Sequence, residues 1–198
     1  MGRKHVNTIM QPDENTCGPV SIVHALAIFG QKRSIVGLSK LCKTSSQGTT
    51  THNMIQGLRK LRFFVMGVEK SRLDHLMSAL QSPPNQPRAV IVSYLYANDK
   101  RDEPLIESGH WATVCSYSPS RSRIVLFDSY SGQKKSYYWE DFCLRWKDYD
   151  RKRRKISDRK YRFIKRWRQR LMLVVASERS HLPEFRIRTA SVHTPLHS

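Results

Sequence analysis

The chain has 198 residues, 35 Lys and Arg against 16 Asp and Glu, and a formal net charge of +19. That length fits one domain, with room for an appendage and for a sizeable core. It contains no apolar run long enough to cross a bilayer, and Met1 to Met10 lacks the apolar stretch of a secretory signal, so a cytoplasmic chain is expected. Met1-Gly2 does not continue into a myristoylation signal, because Val6 stands where Ser or Thr would be needed. The first ten residues are polar and basic, and Val6 to Met10 reads as a short entering strand.

Next comes the polar loop Gln11-Pro12-Asp13-Glu14-Asn15-Thr16, which turns into the apolar run Val20 to Phe29. Asn15 and Thr16 are good N-cap residues, Pro19 is tolerated in a first turn, and Gly30 suits a C-terminal cap. A buried helix over Cys17 to Phe29 follows, with His24 as a hydrogen-bonded core or rim histidine. Ile35 to Cys42 reads as a second helix and Thr44 to Thr51 as a loop. His52 to Leu61 and Arg72 to Gln81 read as further helices, because their apolar residues recur at helical spacing. Phe63 to Val68 is a strand, and Ser82 to Pro87 is a breaker.

Beyond it the pattern changes to strands. These are Ala89 to Leu95, His110 to Tyr117, Arg123 to Asp128 and Lys135 to Trp139, with Tyr96 to Ser108 as a charged loop. Glu140 to Trp146 is a short helix, and Leu171 to Ala176 is a last apolar strand. Helices first and strands later predict an α+β fold with an antiparallel sheet. The expected organisation is one domain over residues 1–177, a basic insertion at about 147–170, and a loosely ordered tail over 178–198.

Cys17 at a helix N-terminus is a candidate nucleophile, since the helix dipole and free N–H groups favour a thiolate. Taken alone it is equally a small buried hydrophobe. A cysteine nucleophile needs a base, a group that orients the base, and donors for an oxyanion. His110 begins one strand just after Gly109, and Asp128 ends the next. Two hairpin-linked strands can present these residues side by side. Each also has a structural reading, as a strand-edge histidine and a turn-forming aspartate. The Gln11 side-chain amide can donate to an oxyanion beside the Cys17 N–H. The four cysteines form no close metal-ligand pairs, and His5, His24, His52, His75 and Cys42 lack ligand spacing. Neither a metal nor a cofactor is expected.

Gln11 followed six residues later by Cys17-Gly18-Pro19 resembles the signature of the papain-like cysteine peptidases that process bacteriocin precursors, the double-glycine leader peptidases. Gly109-His110-Trp111, Phe127-Asp128, Ser131-Gly132 and the Trp139 to Trp146 stretch continue the likeness, which covers roughly Asn7 to Ser177. The resemblance implies a papain-like α+β fold and a peptide or protein substrate. It implies Cys17 as nucleophile, His110 as base, Asp128 as orienting group and Gln11 in the oxyanion hole. The sequence departs from the family at Thr16, where Asp is common, and at Ser129, where Pro is common. With no ATP-binding domain and no transmembrane run, a stand-alone peptidase and not an exporter is expected.

Between Arg145 and Arg170 there are 14 Lys and Arg against 3 Asp, a local charge of +11. Tyr161, Phe163, Ile164, Trp167 and Leu171 are interleaved with the cations. One reading is a helix starting after Ser157, apolar face inward and cations in water. The other is a surface for an acidic partner or nucleic acid, centred on Arg151, Lys152, Arg153, Arg154 and Lys155. Three functions are therefore open. The first is a cysteine peptidase hydrolysing peptide bonds, the second a non-catalytic papain-like module that binds through the basic segment. The third is an enzyme that transfers an acyl group or cleaves an isopeptide bond with the same triad.

Overall fold

In a computed structural model, residues 6–158 and 160–196 are described. The readings made on Met1 to His5, and on the side chains of Lys152 and Arg153, lie outside the described residues. Five helices are present among the described residues: α1 (Cys17–Ile28), α2 (Ile35–Leu41), α3 (Thr51–Lys60), α4 (Leu73–Leu80) and α5 (Trp139–Arg145). The central sheet has seven strands: β1 (Phe64–Val68), β2 (Arg88–Leu95), β3 (Gly109–Ser118), β4 (Arg123–Asp128), β5 (Gln133–Tyr138), β8 (Met172–Ala176) and β9 (Ala190–His193). Their order is β5-β4-β3-β2-β8-β1-β9, with every neighbour pair antiparallel. No described helix is long and apolar enough to cross a membrane.

The α+β expectation holds, and the sheet is covered on both faces. Alternate residues of each central strand point to opposite sides. Ala89 and Ile91 of β2, with Leu173 and Val175 of β8, pack against α1, α2 and α3 through Leu26, Leu38 and Leu58. Val90, Val92 and Tyr94, with Met172 and Val174, pack on the other side against α4 and α5 through Leu76 and Phe142. Burial on both faces is why these strands read as unbroken apolar runs. Helix α1 is pinned to the sheet where the Thr113 hydroxyl donates to the Ser21 carbonyl at 2.7 Å.

The structure differs from the sequence reading in three places. Val6 to Met10 is irregular and not a strand; it is held by single bonds, Ile9 N–H to His24 Nε2 at 2.9 Å and then Gln11 N–H to the Ser129 carbonyl at 2.7 Å. Among its described residues the basic segment contains no helix. It is a separate two-stranded ribbon, β6 (Lys147–Ser157) with β7 (Lys160–Gln169), in register from Lys147 opposite Gln169 outward. Tyr161, Phe163 and Trp167 fall on one face with period two, and that alternation prevails over the helical spacing of Tyr161, Ile164 and Trp167. Finally, the stretch read as a loose tail contributes β9, which pairs with β1 from Val65 opposite His193 to Val68 opposite Ala190.

Candidate active site

Cys17 is the first residue of α1. Thr16 holds the N-cap position, but its hydroxyl donates back to the Asp13 carbonyl at 3.2 Å and caps no first-turn N–H. The amides at the start of α1 are therefore left for an acceptor other than the cap. Gly18 allows the helix end to come this close to the neighbouring loop, since a Cβ there would stand 2.8 Å from Thr49 Cβ. That loop is tied in turn to the residue after the candidate base, because Trp111 Nε1–H donates to the Thr49 carbonyl at 2.8 Å.

His110 and Asp128 meet because β3 and β4 pair from Thr113 opposite Phe127, which brings the start of one strand to the end of the other. His110 Nε2 lies 3.6 Å from Asp128 Oδ1, within ion-pair distance. That leaves Nδ1 for Cys17, whose sulfur also acts on the imidazole. Burial works to pull the imidazole pKa down, but the Cys17 sulfur and the Asp128 carboxylate outweigh it and raise His110 to about 9. Asp128, fully buried, accepts the Tyr130 N–H at 3.0 Å, the Ser131 hydroxyl at 2.7 Å and the Tyr96 hydroxyl at 3.1 Å. Burial alone would push its carboxyl up; the His110 bond first, then Ser131 and Tyr130, hold it well below the usual range. Asp128 thus holds the turn at Tyr130 and Ser131, and its Oδ1 also faces His110.

Gln11 lines the same cleft as Cys17 and His110. Its Oε1 accepts the Ser129 hydroxyl at 2.8 Å, and one amide N–H donates to the Asp13 carbonyl at 2.8 Å. A glutamine amide has two N–H donors, so the second can point into the cleft. Ser129 was not singled out from sequence as a functional residue. It is fully buried, and its Oγ also lies 3.4 Å from His110 Nε2, so it joins Gln11 to the base. Its one sequence signal is position, immediately after Asp128.

The cleft holds about 850 Å³. One wall is the Ser45 to Thr51 loop, and the other comes from the foot of the ribbon, where Asp148, Tyr149, Asp150 and Arg151 look in. The sequence reading assigns this segment no place in the cleft, since its charge count is dominated by the cations. Asp148 sits against the backbone before His110, where a Cβ on Gly109 would collide with its Oδ1. Burial pushes the Asp148 carboxyl up to about 7, against the pull of the Tyr149 N–H; Asp150 adds to the rise and His110 opposes it. Asp150 accepts the Thr51 N–H at 2.8 Å, so the ribbon also caps α3. His24 is a core histidine lowered to about 4 by burial, against the opposing charge of Asp128. Among the described residues, no group of three His, Cys, Asp or Glu could hold a metal ion.

The sequence model of the Peptidase C39 family matches residues 5–150. No curated protein matches. Among solved structures, the peptidase domain of Streptococcus ComA, a bi-functional ABC transporter involved in a quorum-sensing pathway, is similar. It has a TM-score of 0.58 at 19% identity, over 88% of this chain and 100% of that one. A double-glycine-motif protease from an AMS/PCAT transporter, solved with its leader peptide, aligns at a TM-score of 0.57 and 14% identity, covering 88% and 94%. The peptidase domain of Streptococcus mutans ComA gives 0.52 and 17%, covering 86% and 98%. At these identities the structural likeness speaks for the fold alone.

Proposed function

The chain belongs to the peptidase C39 family of cysteine-type peptidases, and on that premise we propose that Cys17, His110 and Asp128 are its nucleophile, base and orienting carboxylate. The observation that carries this reading is that Cys17 of α1 and His110 of β3 line one cleft, with the buried Asp128 of β4 3.6 Å from His110 Nε2. In the reaction we infer, the Cys17 thiolate attacks the carbonyl carbon of a peptide bond. A carbon–sulfur bond forms, and the carbonyl electron pair moves onto oxygen. The oxyanion is held by the Gln11 side-chain N–H and the Cys17 backbone N–H. Its collapse expels the amine, which takes a proton from His110, and leaves a thioester. Water, deprotonated by His110, then attacks the thioester, releases the acid and restores Cys17. The same atoms serve acyl transfer if an amine takes the place of water. Membership in a peptidase family sets aside the reading as a non-catalytic module. In this proposal the catalytic unit spans residues 1–177, with the ribbon inserted before β8 and β9 added to the sheet edge. The cationic segment, including Arg151, Arg154 and Lys155, is its surface for an acidic partner.

Three variants test the assignment on a fluorogenic peptide library. Cys17→Ala removes hydrolysis, by a factor of about 10³ or more, while circular dichroism is unchanged. Activity that survives this change contradicts the nucleophile. For the wild type, the raised His110 pKa means the imidazolium persists to about 9. The rate of kcat/KM therefore falls as pH rises through about 9. Asp128→Asn withdraws the charge that supports His110, so this alkaline limb moves to lower pH. An unmoved limb removes Asp128 from its role, and His110→Ala serves as the inactive reference.

A further inference from the structure

The ribbon is anchored at its foot, where the Arg170 N–H donates to the Trp146 carbonyl at 2.8 Å. Around that foot the cleft wall carries Glu107, Asp148 and Asp150. Two of these acids are engaged. Glu107 pairs with Lys165 at 2.6 Å and Arg151 at 3.8 Å, and it accepts the Tyr149 hydroxyl. Asp150 pairs with Arg168 at 3.1 Å and accepts the Thr51 N–H at 2.8 Å. Asp148 is different. Among the described residues its one donor is the Tyr149 N–H, at 2.7 Å from Oδ1, and Oδ2 has none. Arg168 lies opposite Asp148 in the ribbon ladder, but its guanidinium is committed to Asp150 and Glu69. With no cation paired to it, burial dominates and pushes the carboxyl up to about 7.

A second unmet group lies on the same side of the sheet. Ser93 of β2 is fully buried and lines the cleft, and its hydroxyl has no hydrogen-bond partner among the described residues. Ser93 stands directly opposite Trp111 of β3, so both side chains point to one side. Gly109, two residues before Trp111, faces that side too. The Asp148 carboxyl occupies the space that a Gly109 side chain would fill. Carboxyl and hydroxyl therefore border one stretch of the cleft, since the diagonal from Ser93 to Gly109 is about 7 Å. Buried polar groups without partners are rare, because each forgoes the hydrogen bonds it has in water. Two that line one cleft call for donors supplied from outside the chain.

We propose that Asp148 and Ser93 form a subsite for a cationic side chain of the substrate, lysine or arginine, close to the bond that is cut. This rests on the peptidase reading of the cleft. The class of ligand follows from its donors. An ammonium has three N–H donors and a guanidinium five, and neither carries an acceptor. One such group serves Asp148 Oδ2 and the Ser93 hydroxyl together, and it neutralises the carboxylate it meets. A glutamine brings no charge, and a glutamate meets Asp148 as a like charge. Asp148 packs on Gly109, immediately before His110, so the selected residue lies within about two positions of the scissile bond, at roughly 3.4 Å per residue. The net charge of +19 opposes a cationic substrate at long range and is screened by salt, so a preference for cations comes from this local pair.

The test is fluorescence anisotropy with full-length Cys17→Ala, at pH 8 and physiological salt, where Asp148 is ionised. The probes are four labelled ten-residue Gly/Ala peptides, alike except for one central Arg, Lys, Gln or Glu. The Arg or the Lys peptide is expected to bind at least tenfold tighter than the Gln peptide, with Glu the weakest. Adding Asp148→Asn keeps an acceptor for the Tyr149 N–H and removes the charge, so the preference should fall below about twofold. Ser93→Ala should reduce it several-fold. Equal binding of the Arg, Lys and Gln peptides overturns the subsite, as does binding of none of them or tightest binding of Glu. So does a cation preference that survives Asp148→Asn, which would leave Asp148 as a tie between the ribbon and β3. The ranking on Cys17→Ala alone decides the matter if the Asp148→Asn chain misfolds. Iodoacetamide labelling of Cys17 in wild type and His110→Ala, without any probe, reports separately on the catalytic pair. A failed subsite is thereby distinguished from a failed peptidase site.

Discussion

Ser129 shows how a residue with no motif of its own enters the chemistry. Its hydroxyl fixes Gln11 Oε1 at 2.8 Å, and its carbonyl receives the Gln11 N–H at 2.7 Å, so both ends of that glutamine answer to one buried residue. Removing the hydroxyl lets the amide turn, and in the proposed reaction it then loses its aim at the oxyanion, which matters in the transition state and not in the ground state. Ser129→Ala is therefore expected to lower kcat about tenfold with KM nearly unchanged, measured on any peptide the enzyme cleaves. A rise in KM at constant kcat would show that Ser129 serves binding instead. Cys17, His110 and Asp128 are legible as candidates in the sequence because each stands at an element end beside a turn signal, and Gln11 because it precedes Cys17-Gly18-Pro19 by six residues. Ser129, Ser131 and Asp148 are not, since serine and aspartate in loops have many structural uses. Their partners are set by strand pairing and by the ribbon's docking on Gly109.

Among the elements, the helices and the sheet strands other than β9 follow their local patterns, and the ribbon does not. Its apolar residues satisfy a helical and an alternating period at once, so composition cannot choose between them. Closure of its base by Trp146 and Arg170, and the ladder from Lys147 opposite Gln169, decide for strands. β9 escaped notice for a related reason: four residues are too few to show a period, and the strand exists because β1 offers it an edge. The anchoring of the ribbon at its foot has a direct consequence. Replacing residues 152–164 by an Asn-Gly turn joins Arg151 to its partner Lys165 across a two-residue loop, the geometry a hairpin favours. The shortened protein should keep its circular dichroism spectrum and lose less than about 5 °C in melting temperature, because the contacts of Asp150, Lys165 and Arg168 remain. A collapse of the transition would show that the outer ribbon is part of the folding core.

Across the whole molecule, the sheet serves as a divider between two apolar layers, and the proposed active site lies where its strand ends meet the N-terminus of α1. The candidate nucleophile belongs to the helical layer; the base and its carboxylate belong to the sheet. Neither layer alone makes the pair, so the reactivity of Cys17 reports on the assembled fold. The contrast with Cys42 is built in, because burial pushes the Cys42 thiol up to about 12 despite the nearby Lys60. The most direct measurement is the rate of iodoacetamide alkylation at each cysteine from pH 5 to pH 10, resolved by mass spectrometry, in wild type and in His110→Ala. A thiolate held by the His110 imidazolium predicts fast labelling of Cys17 already at pH 6, where Cys42 is silent, and loss of that labelling in His110→Ala or in denaturant. Labelling of Cys17 at the same rate with and without His110 would contradict the pair, and with it the catalytic assignment.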